Sequence, residues 1–159
     1  MTDTRWLSPD ELQAWRWLSA LLLVLPGQLE DTLRPHGLSF FEYSIMAGLS
    51  SSPDRTRPMS ELAQVANGSL SRLSHAARRL ESRGWLQRCR STEDGRVTLA
   101  TLTDEGQRHL VAAAPDHVES VRQAVFDVLE PGQVQQMRDI ASAIVDNVVP
   151  GVGAAWGEA

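Results

Sequence analysis

Apolar positions at helical spacing run through both ends of the chain, and a short interval of strand-like pattern lies between them. Leu12, Trp15, Leu22, Leu25, Leu29 and Leu33, with Ser19 on the same row, recur every three or four residues. Ser8-Pro9-Asp10-Glu11 marks the start of that helix. Ser8 can cap it, Pro9 suits the first helical position, and Glu11 completes a capping box. Pro26-Gly27 predicts a kink or interruption, and Pro35-His36-Gly37 an end. Ser39 and Glu42 form a second capping box after Leu38, opening a helix with Tyr43, Ile45, Met46 and Leu49 on its buried face. The stretch from Ser50 to Pro58 reads as a polar loop rich in Ser and Pro. Ser60 is placed to cap a short helix carrying Glu61, Leu62, Ala63 and Ala66, and Asn67-Gly68 to turn the chain. Ser69 then caps a helix whose Leu70, Leu73, Ala77 and Leu80 share a face, ended by Gly84.

Beyond Gly84 the period changes. Trp85 to Arg90 and Val97 to Leu102 read as strands, and Asp94-Gly95 between them is a strong hairpin signal. Thr103 caps the next helix, with Gly106 inside its first turn. Ala114, Val118, Val121, Val125 and Val128 follow at alternating steps of four and three. After the break at Pro131-Gly132 the pattern returns as Val134, Met137, Ala141, Ile144 and Val148. Two such stripes suit helix-on-helix packing. The tail after Pro150 is rich in Gly and Ala, with Trp156 near its end.

Short helix, tight turn, second helix and two-stranded hairpin, in that order, describe a winged helix-turn-helix. The second helix of such a unit lies in the DNA major groove with its N-terminal residues facing base edges. Those residues are Ser69, Ser71, Arg72, Ser74 and His75, all able to hydrogen-bond to bases or phosphates. Arg78 and Arg79, further along, suit phosphate. Arg90 and Arg96 lie in the hairpin, where an arginine can enter the minor groove.

Composition alters this picture in one respect. The net charge of −5 argues at first against nucleic acid, but the charge is segregated. From Arg55 to Arg108 ten arginines face six acids, a balance of +4; the remainder holds five arginines and fourteen acids, a balance of −9. A basic middle inside an acidic scaffold is the footprint of a DNA-binding module. The 159 residues, 42% hydrophobic and 22% charged, fit one globular domain with a dimerisation appendage. The longest apolar run, Leu18 to Pro26, is too short to span a bilayer, and the N-terminus lacks a secretory pattern, so no membrane partner and a cytoplasmic location are expected. The single Cys89 excludes an internal disulfide framework.

At this point the residues resemble a known family. Ser60-Glu61-Leu62-Ala63, then Arg79-Leu80-Glu81 with Arg83-Gly84, then Asp94-Gly95-Arg96 and Leu102-Thr103-Asp104-Glu105-Gly106 are similar to the MarR regulator pattern. In that pattern the wing carries Asp-x-Arg, followed by Leu-Thr-x-x-Gly. His75 stands where an arginine is common, and Asn67-Gly68-Ser69 replaces a more apolar turn. The resemblance implies a homodimer whose first and last helices intertwine, and binding to a pseudo-palindromic operator on double-stranded DNA. It also implies, for many members, release by a small ligand or an oxidant. The expected architecture is mainly α with a small β-hairpin wing. Residues 1–37 and 104–159 supply helical dimerisation regions, and 38–103 the winged helix-turn-helix. The expected function is a repressor relieved by a small aromatic or phenolic ligand.

Blander readings stand beside several of these. The arginine-bearing helix alone could be a solvated face; the hairpin and its arginines tip the balance. Arg83 can simply complement the helix C-terminus, and Asp94 is expected to hold Arg96 or the turn. Cys89 is more readily a small strand residue than a thiol sensor. Trp15 shares the apolar stripe and reads as core, whereas Trp17 lies off it and suits a pocket or dimer contact. The resemblance places ligands between the DNA-binding lobe and the dimer helices, which makes Phe41 and Met46 neighbours of such a pocket. His36, His109 and His117 share no metal-ligand spacing, and no cofactor is expected. No phosphate loop, nucleophile elbow or HExxH motif occurs, which argues against a hydrolase or transferase. A winged helix used only for protein interaction is the remaining alternative; it predicts no basic face.

Overall fold

A computed structural model describes residues 4–65 and 70–150 of the chain. Six α-helices and three strands follow in order among these residues. They are α1 (Pro9–Leu33), α2 (Phe40–Ser50), β1 (Thr56–Pro58), α3 (Met59–Val65), α4 (Leu70–Ser82), β2 (Leu86–Arg90), β3 (Thr98–Leu102), α5 (Asp104–Ala124) and α6 (Pro131–Val148). Both N-terminal capping boxes are formed: Ser8 with Glu11 at α1, and Ser39 with Glu42 at α2. α1 runs through Pro26 as one helix, so the interruption expected there is absent. Proline costs a helix its own N–H bond and crowds the turn before it, and here the helix absorbs both without ending. α1 stops at a 3-10 turn, Arg34–His36, closed by Gly37 in the left-handed conformation (φ 69°).

The segment read as a polar loop holds a third strand. β1 pairs antiparallel with β3, Thr56 opposite Thr101 and Pro58 opposite Leu99, giving the sheet order β1-β3-β2. Pro58 is tolerated because β1 is an edge. β2 and β3 pair as the wing hairpin, from Leu86 opposite Leu102 to Arg90 opposite Thr98. α3 begins at Met59, which puts Ser60 inside the helix instead of at its cap. The expected Asn67-Gly68 turn, the Ser69 cap, Ala66 and the tail beyond Pro150 lie outside the described residues.

One core joins the middle of the chain. Leu33 from α1, Ile45, Met46 and Leu49 from α2, Leu62 from α3, Leu73 and Leu80 from α4, and Leu86 and Leu102 from the wing strands are fully buried in it. α5 closes the cluster with Leu110 and Ala113. The terminal stripes behave differently. Leu29 and Leu33 are buried, but Leu12, Trp15 and Leu22 lie exposed, as do Ile144 and Val148 on α6, which has no buried residue. An amphipathic helix that leaves its apolar row bare in the single chain has surface to cover elsewhere.

The joint between the wing and α5 is tight. Thr103 caps α5 by accepting from the Gly106 N–H (3.0 Å) and donates its hydroxyl to the Gly84 carbonyl (2.7 Å). Its own N–H donates to the Trp85 carbonyl at 3.1 Å. That carbonyl lies so close to Gly106 that a Cβ there would sit 2.1 Å from the oxygen. Only glycine fits.

Candidate nucleic-acid interface

α4 is amphipathic by sequence and by burial. Leu73, Ala76, Ala77 and Leu80 are buried, while Ser71, Arg72, His75, Arg78 and Arg79 are exposed and Ser74 is half-buried. Leu70, expected on the buried face, is exposed instead, at the first position of the helix. The polar face therefore carries the expected side chains of the second helix, apart from Ser69, which lies outside the described residues.

The first turn of α2 grips this helix at two points. The Arg72 guanidinium carbon lies over the Phe41 ring, 4.2 Å from its centroid. One residue on, Glu42 Oε1 accepts from Arg79 Nε at 2.7 Å. Glu42 is buried, and its other oxygen accepts from the Ser39 N–H and hydroxyl, both at 3.0 Å. Burial pushes the carboxyl pKa up, but the Ser39 N–H, Arg79 and the Ser39 hydroxyl outweigh it and hold Glu42 below its ordinary value. A capping residue thus also anchors the second helix. Arg79 is tied to protein, although its side chain remains more than half exposed.

The C-terminal end of α4 is fastened as well. Arg83 donates to the Gly37 carbonyl and lies over Trp85, 5.0 Å from the ring centroid. Trp85 stacks on His109 (3.8 Å, 18°), and His109 Nε2 is 2.8 Å from the His36 carbonyl. His36 in turn pairs with Asp116 at 2.7 Å, and the His117 ring lies 4.3 Å from Tyr43. His36 and His109 thus tie the turn after α1 to α5, and His117 packs α5 on the rings of α2. Among the described residues no group of His, Cys, Asp and Glu is arranged to hold a metal.

The wing is held to α4 by Glu81, which accepts from Arg88 Nε and Nη2 at 2.9 and 2.5 Å and from the Arg88 N–H. The Arg88 guanidinium keeps the Glu81 carboxyl below its ordinary pKa despite some burial. At the tip, Asp94 Oδ1 accepts from the Arg96 N–H at 2.9 Å, and Arg90 donates to the Gly95 carbonyl at 2.6 Å. The Arg90 side chain is thus used within the hairpin, and Arg96 is exposed at its tip. Cys89 is exposed on β2, an edge strand.

The expected pocket residues do not share one environment. Trp17 is 72% exposed on α1, Phe41 is half-buried beneath Arg72, and Met46 is fully enclosed in the core. No helix among the described residues is long and apolar enough to cross a membrane. Sequence reasoning missed the roles of Phe41 and Glu42 toward α4. The one available signal was an acidic residue on a helix whose other face is apolar.

Two successive helices, α3 and α4, the second presenting a polar face to solvent, with a three-stranded wing beside them, make this a winged helix-turn-helix protein. A family model described as transcriptional regulator SarA/Rot matches residues 29–112. Among curated proteins none gives a significant sequence match. Among solved structures, the chain is similar to Sco3205, a MarR family transcriptional regulator from Streptomyces coelicolor determined in complex with DNA. Identity is 38%, coverage 95% of each chain and the TM-score 0.87. AbsC, a MarR family regulator from the same organism, is 35% identical over 91% of this chain and 98% of its own, with a TM-score of 0.84. CouR from Rhodococcus jostii RHA1, bound to p-coumaroyl-CoA, shares the fold at 24% identity, 89% and 96% coverage and a TM-score of 0.75. The chain belongs to the MarR family of transcriptional regulators: it is a DNA-binding regulator and not an enzyme.

Proposed function

We propose that the protein acts in the cytoplasm as a homodimer that binds a pseudo-palindromic operator, represses the adjacent genes, and is relieved by a small aromatic or phenolic ligand. Residues 38–103 form the DNA-reading unit. Residues 1–37 and 104–159 form the dimer, a division supported by the bare apolar rows of α1 and α6. The observation that carries the reading is the exposed polar face of α4, with Ser71, Arg72, His75 and Arg78 above a fully buried apolar face. Ser69, Ser74 and Arg79 complete the set assigned to α4. Ser69 rests on sequence alone, and Arg79 reaches DNA only with its exposed side while Glu42 holds the other. Arg96 enters the minor groove, with Asp94 shaping the tip and Arg90 bracing it. Ligand contact falls to Trp17 and Phe41; Met46 takes part only if α2 repacks, because it is enclosed.

The test is selection from a randomised operator library with the wild type, Arg72→Ala and Arg96→Ala, after circular dichroism confirms folding. The wild type should select palindromes with half-sites centred roughly 10 bp apart or a multiple of that. Arg72→Ala should flatten preference at one symmetric base pair, where an arginine–guanine contact gives about 1–3 kcal/mol of discrimination. Arg96→Ala should weaken binding to many operators, most on A·T-rich flanks. If Arg72→Ala keeps the full preference while Arg96→Ala loses it at the half-site centre, the wrong element has been placed in the major groove. Non-palindromic selection would remove the dimer.

A further inference from the structure

A long side chain that reads a base edge is most useful when it is already held near its reading conformation, because freedom lost on binding weakens the contact. Arg72 is an exposed arginine on the polar face of α4, and its guanidinium carbon lies over the Phe41 ring at 4.2 Å. Phe41 itself is half-buried and packed against the core, so the ring is a fixed platform. A cation over an aromatic face is held through its charge, and guanidinium hydrogen bonds run in the plane of the group. The ring can therefore restrain the arginine without competing for its N–H donors. The next residue, Glu42, anchors α4 independently through Arg79, so α4 keeps that anchor when the ring is changed.

We propose that Phe41 is a positioning residue for sequence readout: it orders Arg72 for one base pair, a guanine contact, in each half-site. The inference rests on α4 being the helix that enters the major groove. Phe41 touches no DNA in this arrangement. It sets how sharply Arg72 discriminates.

The experiment is the operator selection repeated with Phe41→Leu, Phe41→Trp, Arg72→Ala and the double variant Phe41→Leu/Arg72→Ala, each checked for folding by circular dichroism. Phe41→Leu should lose preference at the same symmetric base pair that Arg72→Ala flattens, by about 2- to 5-fold per half-site and about 4- to 25-fold over the palindrome. Phe41→Trp, with the stronger ring, should keep it. In the double variant the leucine should add nothing to the loss caused by alanine at 72. If Phe41→Leu does not fold, Phe41→Met carries the same comparison. Unchanged preference in Phe41→Leu overturns the inference and leaves the reading of α4 intact. A leucine effect of equal size on the alanine background also overturns it, because the ring then acts through packing alone. A wild type that selects no sequence at all removes the reading of α4, and the inference with it.

Discussion

Replacing Gly106 by alanine tests the joint on which the wing is hung. A Cβ at 106 would lie 2.1 Å from the Trp85 oxygen, 2.9 Å from the Trp85 carbonyl carbon and 2.8 Å from Leu102 Cδ1. The first two are backbone atoms, so no side-chain rotation relieves them. To reach ordinary contact the Trp85 carbonyl must retreat by roughly 1 Å, since real Cβ contacts under 3.0 Å are essentially never seen. That retreat strains the bond it accepts from the Thr103 N–H. Overpacking in a filled site costs about 1–3 kcal/mol and a lost hydrogen bond about 0.5–1.5 kcal/mol, so about 2–4 kcal/mol is expected. For a chain of this size that lowers Tm by about 4–16 °C, compared at equal protein concentration because the stability of the proposed dimer would depend on it. Gly27, inside α1 with nothing within 4 Å of its Cβ position, is the control. Its alanine variant should be neutral or stabilising by up to about 1 kcal/mol. Thermal unfolding followed by circular dichroism reads both. Gly106→Ala melting within 2 °C of wild type, on the order of 0.5–1 kcal/mol, would refute the reasoning, because the backbone would then have room the geometry denies it.

Three other outcomes follow from the same contacts. Glu42→Gln should cost about 1–2 kcal/mol at pH 7, less than a fully buried ion pair because Arg79 is half exposed. Since the folded pKa of Glu42 lies below its ordinary 4.5, the wild-type advantage is complete above that value and shrinks as pH falls through the folded pKa; denaturation curves from pH 7 to 3 should converge. His117 is shifted the other way: burial favours its neutral form and lowers its pKa from 6.5, and its Nδ1 has no partner among the described residues. The unfolded chain therefore takes up the proton first, so stability should fall as pH drops below about 6.5, and His117→Phe should flatten that fall in urea titrations. DNA affinity should fall by about 150- to 2,000-fold between 50 and 200 mM salt if the proposed dimer makes about 4–6 phosphate contacts, and a flat dependence would count against the DNA role.

Local signals in the sequence carried most of the fold. Ser8/Glu11 and Ser39/Glu42 cap the helices where the box pattern puts them, and Asp94-Gly95 lies in the hairpin connection between the two strands. What stayed hidden depends on long-range pairing. β1 is three residues in a polar, proline-bearing stretch, and only its partner β3 makes it a strand. Pro26 reads as a kink or an interruption because a proline removes a helical hydrogen bond, yet α1 continues through it as one helix of twenty-five residues. The contacts of Phe41 and Glu42 with α4 span more than thirty residues of sequence, and no spacing rule reaches that far.

The same limit applies to reading charge. Ten arginines between Arg55 and Arg108 suggest a broad cationic surface, but four of them are ion-paired: Arg55 with Asp104, Arg79 with Glu42, Arg88 with Glu81 and Arg108 with Glu105. Arg83 is spent on the Gly37 carbonyl and Trp85, Arg57 on Ser52, and Arg90 on the wing tip. Three of these contacts hold the winged helix together: Arg79 joins α4 to α2, Arg88 the wing to α4, and Arg90 the wing tip to itself. A charge count therefore points to this segment for a mixed reason, since scaffold arginines and exposed arginines look alike in sequence. The structure identifies seven of the ten as scaffold by the contacts they make. Salt sensitivity should track the exposed cations on α4 and at Arg96, while the ion-paired arginines should register in stability. A variant such as Arg88→Ala should accordingly lose more in unfolding free energy than in the slope of affinity against salt, whereas Arg78→Ala should show the reverse.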